Sequence, residues 1–414
     1  MLVSLFPQAH GRYASLPLLG AVWDGFCDWL REKGYPTGAI RRRIQAGRLV
    51  ASTLRQRGVE SFEQLTASEL RSLMPSPTRW TEQIAGSLVK SLAQYLGDRG
   101  RLAPNPGTPT SERVGMYCRY LELTRGLAPR TVTRHGVGIT EFLRFLDYDT
   151  RPKRLQDLKT ADIEAFLCRA GRRLGRVSMQ KVTGMLRSFL RFLAAEGEVL
   201  PGLDAQVDSP RCFRGERLPR ALPWDSVRSL LRSVDRSIIK GRRDYAMLVL
   251  IATYGLRVGE VASLTLDDIS WRSAQIRVPR PKVGIPLLLP LTDAVGEALL
   301  DYLRVRRACS TERRVFLRVR IPPGPIKSTA VCDVFDFWAA RAGIRLSKGA
   351  HGAHCLRHSL AVHLLRKGTS IKIIGDLLGH RSTESTCVYL RLQVDDLRDV
   401  ALNLPGAVTS EAQR

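Results

Sequence analysis

The most informative stretch of the chain is LLGHRSTESTCVYL, which covers residues 377–390. It begins as an apolar helix that ends at Gly379, because glycine closes helices by adopting a left-handed backbone without steric cost. His380 follows directly, and nine residues later Tyr389 lies between two apolar neighbours. A tyrosine in that setting is, by itself, an ordinary half-buried aromatic, so its role depends on what the rest of the chain supplies.

The charge of the chain indicates a polyanionic partner. Its 414 residues carry a formal net charge of +26, with a pI of about 10.5. Mixed charges would keep a protein in solution without this bias. DNA or RNA is therefore the first expectation, and ribosome-like or membrane-surface binding is the alternative. No run approaches the roughly 20 apolar residues of a membrane span, and no secretory signal is recognisable, so we expect a cytoplasmic, nucleoid-associated protein without a membrane partner.

The cysteines argue against a zinc ribbon and a disulfide scaffold. The eight of them are scattered, and none forms a CxxC pair. A reduced compartment fits this usage.

Segments rich in proline and glycine divide the chain. PNPGTP (104–109) is typical of a linker, and Pro201-Gly202 leads into a basic stretch that ends at Arg220. The predicted parts are an extra N-terminal helical module (1–104), a helical module (110–200), a basic linker (201–220), a third domain (221–402) and a tail (403–414).

The first two segments share a sequence pattern. FCDWL (26–30), LTASEL (65–70) and LAQYL (92–96) recur in order as YCRYL (117–121), LKTADI (158–163) and FLRFL (189–193). This pattern predicts two related helical modules, although any two small helical bundles share some of it. In the second module, residues 178–193 alternate apolar and basic groups at helical spacing, which offers Lys181, Arg187 and Arg191 to DNA phosphates or simply to solvent.

The third segment mixes helical and strand periods. Residues 245–254, 294–307, 331–342, 359–366 and 371–378 have helical patterns, whereas 274–278 and 286–291 flank a turn and predict a hairpin. The fold class expected for the chain is therefore mainly α with a small β component, in which helical N-terminal modules precede a mixed α/β catalytic domain.

Two cationic motifs of this segment suit a phosphate. In TYGLRVGEV (253–261), Arg257 follows a helix end and could present its planar fork to two oxygens, with Glu260 orienting it. In VPRPKVGIP (278–286), Lys282 lies near the tip of the hairpin, where it could protonate a leaving oxygen, and Arg280 is a candidate DNA contact. Taken alone, Lys282 would be a solvated turn residue.

A third motif is HGAHCLRHS (351–359). His354 and Arg357 are three residues apart and therefore face the same way on a helix. A histidine near neutrality can move protons, and an arginine can clamp a phosphate. His354 and His358 have the spacing of zinc helices, but neither HExxH nor a nearby acid accompanies them, so no metal site is expected.

Together these motifs resemble the tyrosine recombinase family, which includes phage integrases, chromosome-dimer resolvases and transposon recombinases. The resemblance covers about residues 221–402, and residues 110–200 look like the family's helical, SAM-like core-binding domain. The extra N-terminal module, residues 1–104, could bind arm-type DNA sites, a partner recombinase, or neither. The family's residue order is matched by Arg257, Lys282, His354-x-x-Arg357, His380 and Tyr389. The hairpin departs from the family's pattern, because it has prolines where relatives often have more glycine and lysine.

The resemblance implies a role for each residue. Tyr389 would attack the scissile phosphate to give a 3′-phosphotyrosine, while Arg257 and Arg357 bind the non-bridging oxygens. Lys282 would be the general acid for the 5′ oxygen. His354 would be the base and His380 would hydrogen-bond the phosphate, with Glu260 and His358 in support. No cofactor is implied, because the covalent bond between the tyrosine and DNA conserves the energy of the cleaved phosphodiester bond.

The implied partners are double-stranded DNA with specific recombination sites and either a homo-tetramer or partner recombinases. An apolar stripe in residues 394–401 either packs on its own domain or docks on a neighbouring subunit. Integration, excision or transposition of a mobile element is the expected process, through a Holliday junction. The alternatives are a type IB topoisomerase, an inactive DNA-binding accessory protein, and a metal-dependent transposase using Asp267 and Asp268, whose adjacent carboxylates would point apart.

We expect EDTA to leave DNA cleavage by this chain unchanged, because arginine, lysine and histidine side chains supply the charge and protons of the implied reaction. Covalent adducts on a nicked suicide substrate measure the cutting step. A magnesium-dependent endonuclease in the same buffer is the control for chelation. Strict magnesium dependence of cutting would contradict the implied mechanism.

Overall fold

The computed structural model describes residues 1–74, 80–213, 220–280, 286–306, 312–346, 352–380 and 382–390. The first segment contains α1 (Leu2–Leu5), α2 (His10–Ala14), α3 (Trp23–Glu32), α4 (Thr37–Gln56), α5 (Ala67–Ser72) and α6 (Trp80–Gly97). The second contains α7 (Pro109–Leu123), α8 (Pro129–Phe145), α9 (Thr160–Gly171) and α10 (Arg176–Ala195).

The third segment contains α11 (Trp224–Arg232), α12 (Ile239–Tyr254), α13 (Val258–Ser263), β1 (Ile269–Ser270), β2 (Gln275–Val278), β3 (Leu287–Pro290), α14 (Asp293–Val305), α15 (Ser328–Arg341), α16 (His354–Arg366), α17 (Ile371–Leu378) and α18 (Glu384–Cys387). Short 3₁₀ helices cover Gly20–Val22, Phe62–Gln64, Pro152–Leu155 and Leu266–Asp268. The predicted fold class is confirmed. None of the helices in the described segments combines the length and apolar character needed to cross a membrane.

Buried side chains gather in three large clusters, which draw on residues 2–96, 117–207 and 227–356. A smaller cluster surrounds Tyr389 and draws on residues 361–389. We propose that each of the three predicted segments has its own core. In the third segment α12 is the central helix: residues 246–252 are all buried, as expected of a helix that is apolar on every side.

The small sheet is antiparallel, in the order β1-β2-β3. The predicted hairpin is present as β2 and β3, in which Val278 pairs with Leu287 and Ile276 with Leu289. Ile276 and Val278 point into the core, as the two-residue period of a strand requires. The turn of the hairpin, residues 281–285, lies outside the described residues and includes Lys282.

Helix α12 begins six residues before the predicted start at residue 245, because two charged side chains at its beginning neutralise each other. The Asp244 carboxylate is fully buried and accepts from Arg243 Nη2 at 2.7 Å and from Trp338 Nε1 at 2.9 Å. Arg243 also donates to the Leu317 carbonyl at 3.2 Å. A buried ion pair with its remaining hydrogen bonds satisfied is tolerated in a core.

Replacing Asp244 with alanine should destabilise the protein by about 3–5 kcal/mol, because Arg243 would stay buried without its counter-charge. Urea unfolding of the full chain, followed by circular dichroism, measures the change. Asp225→Ala is the matched control, since the Asp225 side chain is 91% exposed and its loss should cost less than about 0.5 kcal/mol. Equal effects of the two substitutions would contradict the proposed importance of the Asp244 network.

Candidate active site

Arg257 enters the site from the turn between α12 and α13. Gly255 ends α12 with a left-handed backbone (φ 63°), and Arg257 is the N-cap of α13. Glu260 accepts from the Arg257 backbone N–H and from its Nη1, both at 2.8 Å. The carboxylate therefore closes the helix start and orients the guanidinium, which remains 39% exposed.

Arg357 is the most deeply buried cation of the site, at 1% exposure. Its Nη1 donates to the Gly255 carbonyl and its Nη2 to the Leu378 carbonyl, both at 2.5 Å. Burial, followed by the charge of Arg257, lowers the pKa of Arg357 to about 10. The side chain therefore ties the C-terminal ends of α12 and α17 together and stays charged at neutral pH.

Arg280, the candidate DNA contact of the hairpin, lies in the site beside Glu260 and the end of α17. It is 7% exposed, its Nη2 donates to the Leu377 carbonyl at 3.3 Å, and its Nε lies 3.6 Å from Glu260 Oε1. A Cβ on Gly379 would lie 1.7 Å from Arg280 Nη1, and this glycine has φ 61°. The glycine that ends α17 is thus needed both for its backbone and for the space it leaves.

Tyr389 is 2% exposed, and its hydroxyl lies 2.9 Å from His358 Nδ1. Burial raises the pKa of Tyr389, while Arg357 and Arg257 are close enough to oppose that rise. Burial, then His354 and Arg357, lowers the pKa of His358 to about 4. His358 is therefore neutral at pH 7, and the tautomer protonated at Nε2 accepts the tyrosine hydroxyl at Nδ1.

Two further histidines flank this pair. The His380 ring lies 6.4 Å from the Tyr389 ring and nearly parallel to it, and its Nδ1 lies 2.8 Å from Thr386 Oγ1. His354 is exposed, and its ring meets the edge of the His358 ring at 4.7 Å. Burial and the neighbouring arginines lower the pKa of His380 to about 4. Partial desolvation of the His354 ring, followed by the charges of Arg357 and Arg257, lowers the pKa of His354.

The structure therefore brings together most of the predicted catalytic and supporting residues. These are Arg257, Glu260, His354, Arg357, His358, His380 and Tyr389. Sequence reasoning did not anticipate that His358, rather than His354, contacts the tyrosine hydroxyl, nor that Thr386 fixes His380. The sequence offered one clue to Thr386, because it precedes Tyr389 by three residues, about one helical turn, and such residues lie on the same side of a helix.

The candidate DNA contacts of the second module differ from one another. Lys181 is exposed on α10. Arg187, by contrast, donates from Nε to the Val207 carbonyl at 3.0 Å, and Arg191 Nε lies 2.6 Å from Asp204. Both arginines hold the segment that follows α10, and the remaining N–H groups of each guanidinium are donors that a phosphate could use.

Metal ligands do not gather in the described segments, where no group of three His, Cys, Asp or Glu side chains could hold an ion. Asp267 pairs with Arg313, whereas Asp268 accepts from Thr265. The two carboxylates thus face different partners, so the arrangement needed by a metal-dependent transposase is absent at this pair.

Models of known families match two parts of the chain. The phage integrase family matches residues 220–395, and the N-terminal SAM-like domain of phage integrases matches residues 114–197. The integrase/recombinase y4rA of Sinorhizobium fredii is 32% identical over 388 residues, 92% of this chain and 93% of the relative. A tyrosine recombinase of Pseudothermotoga lettingae is 29% identical over 294 residues, 69% of this chain and 96% of that protein.

A solved structure shares the fold. It is the XerH site-specific recombinase bound to a palindromic difH substrate in a post-cleavage complex, with a TM-score of 0.55 and 15% identity over 72% of this chain and 97% of the other. Because the full-length relative aligns along nearly the whole sequence, this chain belongs to the phage integrase family of tyrosine recombinases.

Proposed function

We propose that this protein is a site-specific DNA recombinase that cuts and rejoins DNA through a 3′-phosphotyrosine at Tyr389 and a Holliday junction, in the integration, excision or transposition of a mobile element. The observation that carries the proposal is the hydrogen bond between Tyr389 and a neutral His358 beside a cluster of three arginines. The relatives named integrase/recombinase and tyrosine recombinase support it.

The arginines provide the anion site that a scissile phosphate needs. Arg257, Arg280 and Arg357 gather around the single carboxylate of Glu260, so the cluster keeps a net positive charge. Arg357 uses one hydrogen of each terminal nitrogen on a carbonyl, which leaves three of its five N–H groups for phosphate oxygens. Preorganised donors in a low-dielectric site stabilise the charge that develops in the transition state.

The proton of the nucleophile goes to His358 in this proposal. The bond from Tyr389 Oη to phosphorus forms, the bond from phosphorus to the 5′ oxygen breaks, and that oxygen takes a proton from Lys282. His380 is held through Nδ1 by Thr386, which leaves Nε2 for a phosphate oxygen. His354, the base expected from sequence, then acts through the His358 ring that it touches.

DNA must uncover the tyrosine before cleavage, since its ring is 2% exposed. Tyr389 lies in the turn that follows α18, a helix of four residues, and residues 382–385 are exposed. Within residues 382–390 the buried side chains are Thr386 and Tyr389. We propose that DNA binding shifts α18 and that the protein works as a homo-tetramer on chromosomal DNA.

Tyr389→Phe should abolish covalent protein–DNA adducts while leaving DNA binding intact, because only the nucleophilic oxygen is lost. Adducts on a suicide substrate and gel-shift affinity for the same DNA, flanking the protein's own gene, measure the two effects. Tyr245→Phe removes a hydroxyl from α12 in the same segment and is the control, which should form adducts normally. Normal adduct formation by Tyr389→Phe would refute the nucleophile.

His358→Ala should slow single-turnover adduct formation by about 10²- to 10⁴-fold, the range of general acid–base catalysis. Its rate should rise with pH, because hydroxide then replaces the imidazole as the proton acceptor. In the parent protein cleavage should fall as the pH drops towards the His358 pKa of about 4. His363→Ala removes an imidazole of the same helix that stacks on Trp224 instead of contacting Tyr389, so it is the control and should keep the parent pH profile.

An unchanged or faster rate for His358→Ala would show that its hydrogen bond to Tyr389 only holds the resting state. The proton would then leave by another group.

A further inference from the structure

The N-terminal segment repeats the architecture of the second module. Helices α3 to α6 and α7 to α10 follow the same order, and in both sets a 3₁₀ helix lies between the second and third α-helices. These 3₁₀ helices are Phe62–Gln64 and Pro152–Leu155. The family model for the SAM-like domain matches only residues 114–197, within the second copy of this plan.

The two modules also end in the same way. Gly100 and Gly197 have left-handed backbones, with φ of 65° and 72°. In the first module the backbone N–H of Arg101 donates to the Leu96 carbonyl at 2.9 Å, and in the second Glu198 donates to Leu193 at 2.9 Å, across the same interval of five residues. Shared order and shared helix ends indicate two versions of one helical unit.

Helix α4 gives the first module a strongly cationic side. It contains five arginines and no acidic residue in 20 positions. The whole segment 1–104 has 14 Lys and Arg against 8 Asp and Glu, and three of those acids are on α3. Positive and negative side chains are therefore separated within the module, whereas a surface that only needs solubility mixes them.

Two neighbouring grooves collect this charge on one face. Arg42 and Arg43 line the groove between α4 and α6. Arg71 and Lys90 line the groove between α5 and α6. No Asp or Glu side chain of the described segments lines either groove. A ridge of α6 separates the two, so a single elongated ligand could contact the cations on both sides.

That ridge is narrow and polar. Gln83 and Ser87 line both grooves, and with Gly86 and Lys90 they recur at the spacing of one helical face. Across the first groove Arg43 is fixed in place: its Nη2 donates to Ser87 Oγ at 2.9 Å and its guanidinium stacks 4.5 Å from the Tyr35 ring. Small polar side chains on a helix suit the wide groove of a duplex, and flanking cations suit its phosphates.

We propose that residues 1–104 are a second DNA-binding module, which grips duplex DNA through the face formed by Arg42, Arg43, Gln83, Ser87, Arg71 and Lys90. The proposal rests on the proposed function only in taking DNA as the substrate of the chain. A recombinase with two such modules contacts a longer stretch of duplex than its cleavage site alone. Four cations with no carboxylate among them are more complementary to the phosphate backbone of DNA than to a protein surface of mixed charge.

The test measures the salt dependence of binding to a random-sequence duplex by fluorescence anisotropy of the full-length protein. The variant is Arg42→Glu/Arg71→Glu/Lys90→Glu, in which Arg43 is retained because its contacts hold the module together. Three lost phosphate contacts should make the slope of log affinity against log salt shallower by about 2.7. The control is Arg12→Glu/Arg31→Glu/Arg57→Glu, which changes the net charge equally at exposed positions outside both grooves.

The control slope should change clearly less than that of the groove variant. Equal changes in the two variants would overturn the proposal, since net charge alone would then explain the effect. An unchanged slope in the groove variant, whether or not its self-association is lost, would also overturn it and would assign the face to a protein partner. Thermal melts establish that both variants are folded. Tyr389-dependent adducts on a suicide substrate are scored separately, so failure of the proposed chemistry is distinguishable from failure of this module.

Discussion

The buried guanidinium of Arg357 is the interaction on which the candidate active site depends. It bridges the carbonyl of Gly255, where α12 ends, and the carbonyl of Leu378, where α17 ends. Helix C-terminal carbonyls have no partner within their own helix and carry partial negative charge. One cation therefore satisfies two helix ends and fixes the distance between the element that delivers Arg257 and the element that delivers His380.

The same burial sets the protonation of the site. Removal from water disfavours charged histidines, so burial lowers the pKa values of His358 and His380 to about 4. His354 and Arg357 add to this effect at His358, and Arg357, Arg257 and Arg280 add to it at His380. The imidazoles are then proton acceptors at neutral pH, while the positive charge of the site comes from arginine. Imidazoles thus accept protons and arginines supply positive charge, so a tyrosine of raised pKa lies beside a neutral base. Among the described residues no group of His, Cys, Asp or Glu side chains could hold a metal ion.

The resting arrangement also protects the nucleophile. Tyr389 packs into a small cluster with Val362 and Ile374, and it follows a helix of only four residues. Its burial is worth a few kcal/mol at most, about what an aromatic side chain gains on leaving water. The DNA contacts proposed for the helical modules and the arginine cluster could offset that amount, which would couple substrate binding to exposure of the hydroxyl.

Motif order and helical periodicity in the sequence were sufficient to predict the family, the mainly helical fold, the hairpin of β2 and β3, and most of the side chains that meet in the site. These features follow from the local sequence: a glycine after an apolar stretch ends a helix, and an arginine three residues after a histidine lies on the same helical face. Tertiary structure alone decided which groups touch. Arg280, a candidate DNA contact from its sequence, lies against Glu260 and the space left by Gly379, and His358 rather than His354 meets Tyr389. Such contacts join residues 20 to 99 positions apart, and their geometry follows from packing among α12, α16 and α17, which no local pattern encodes.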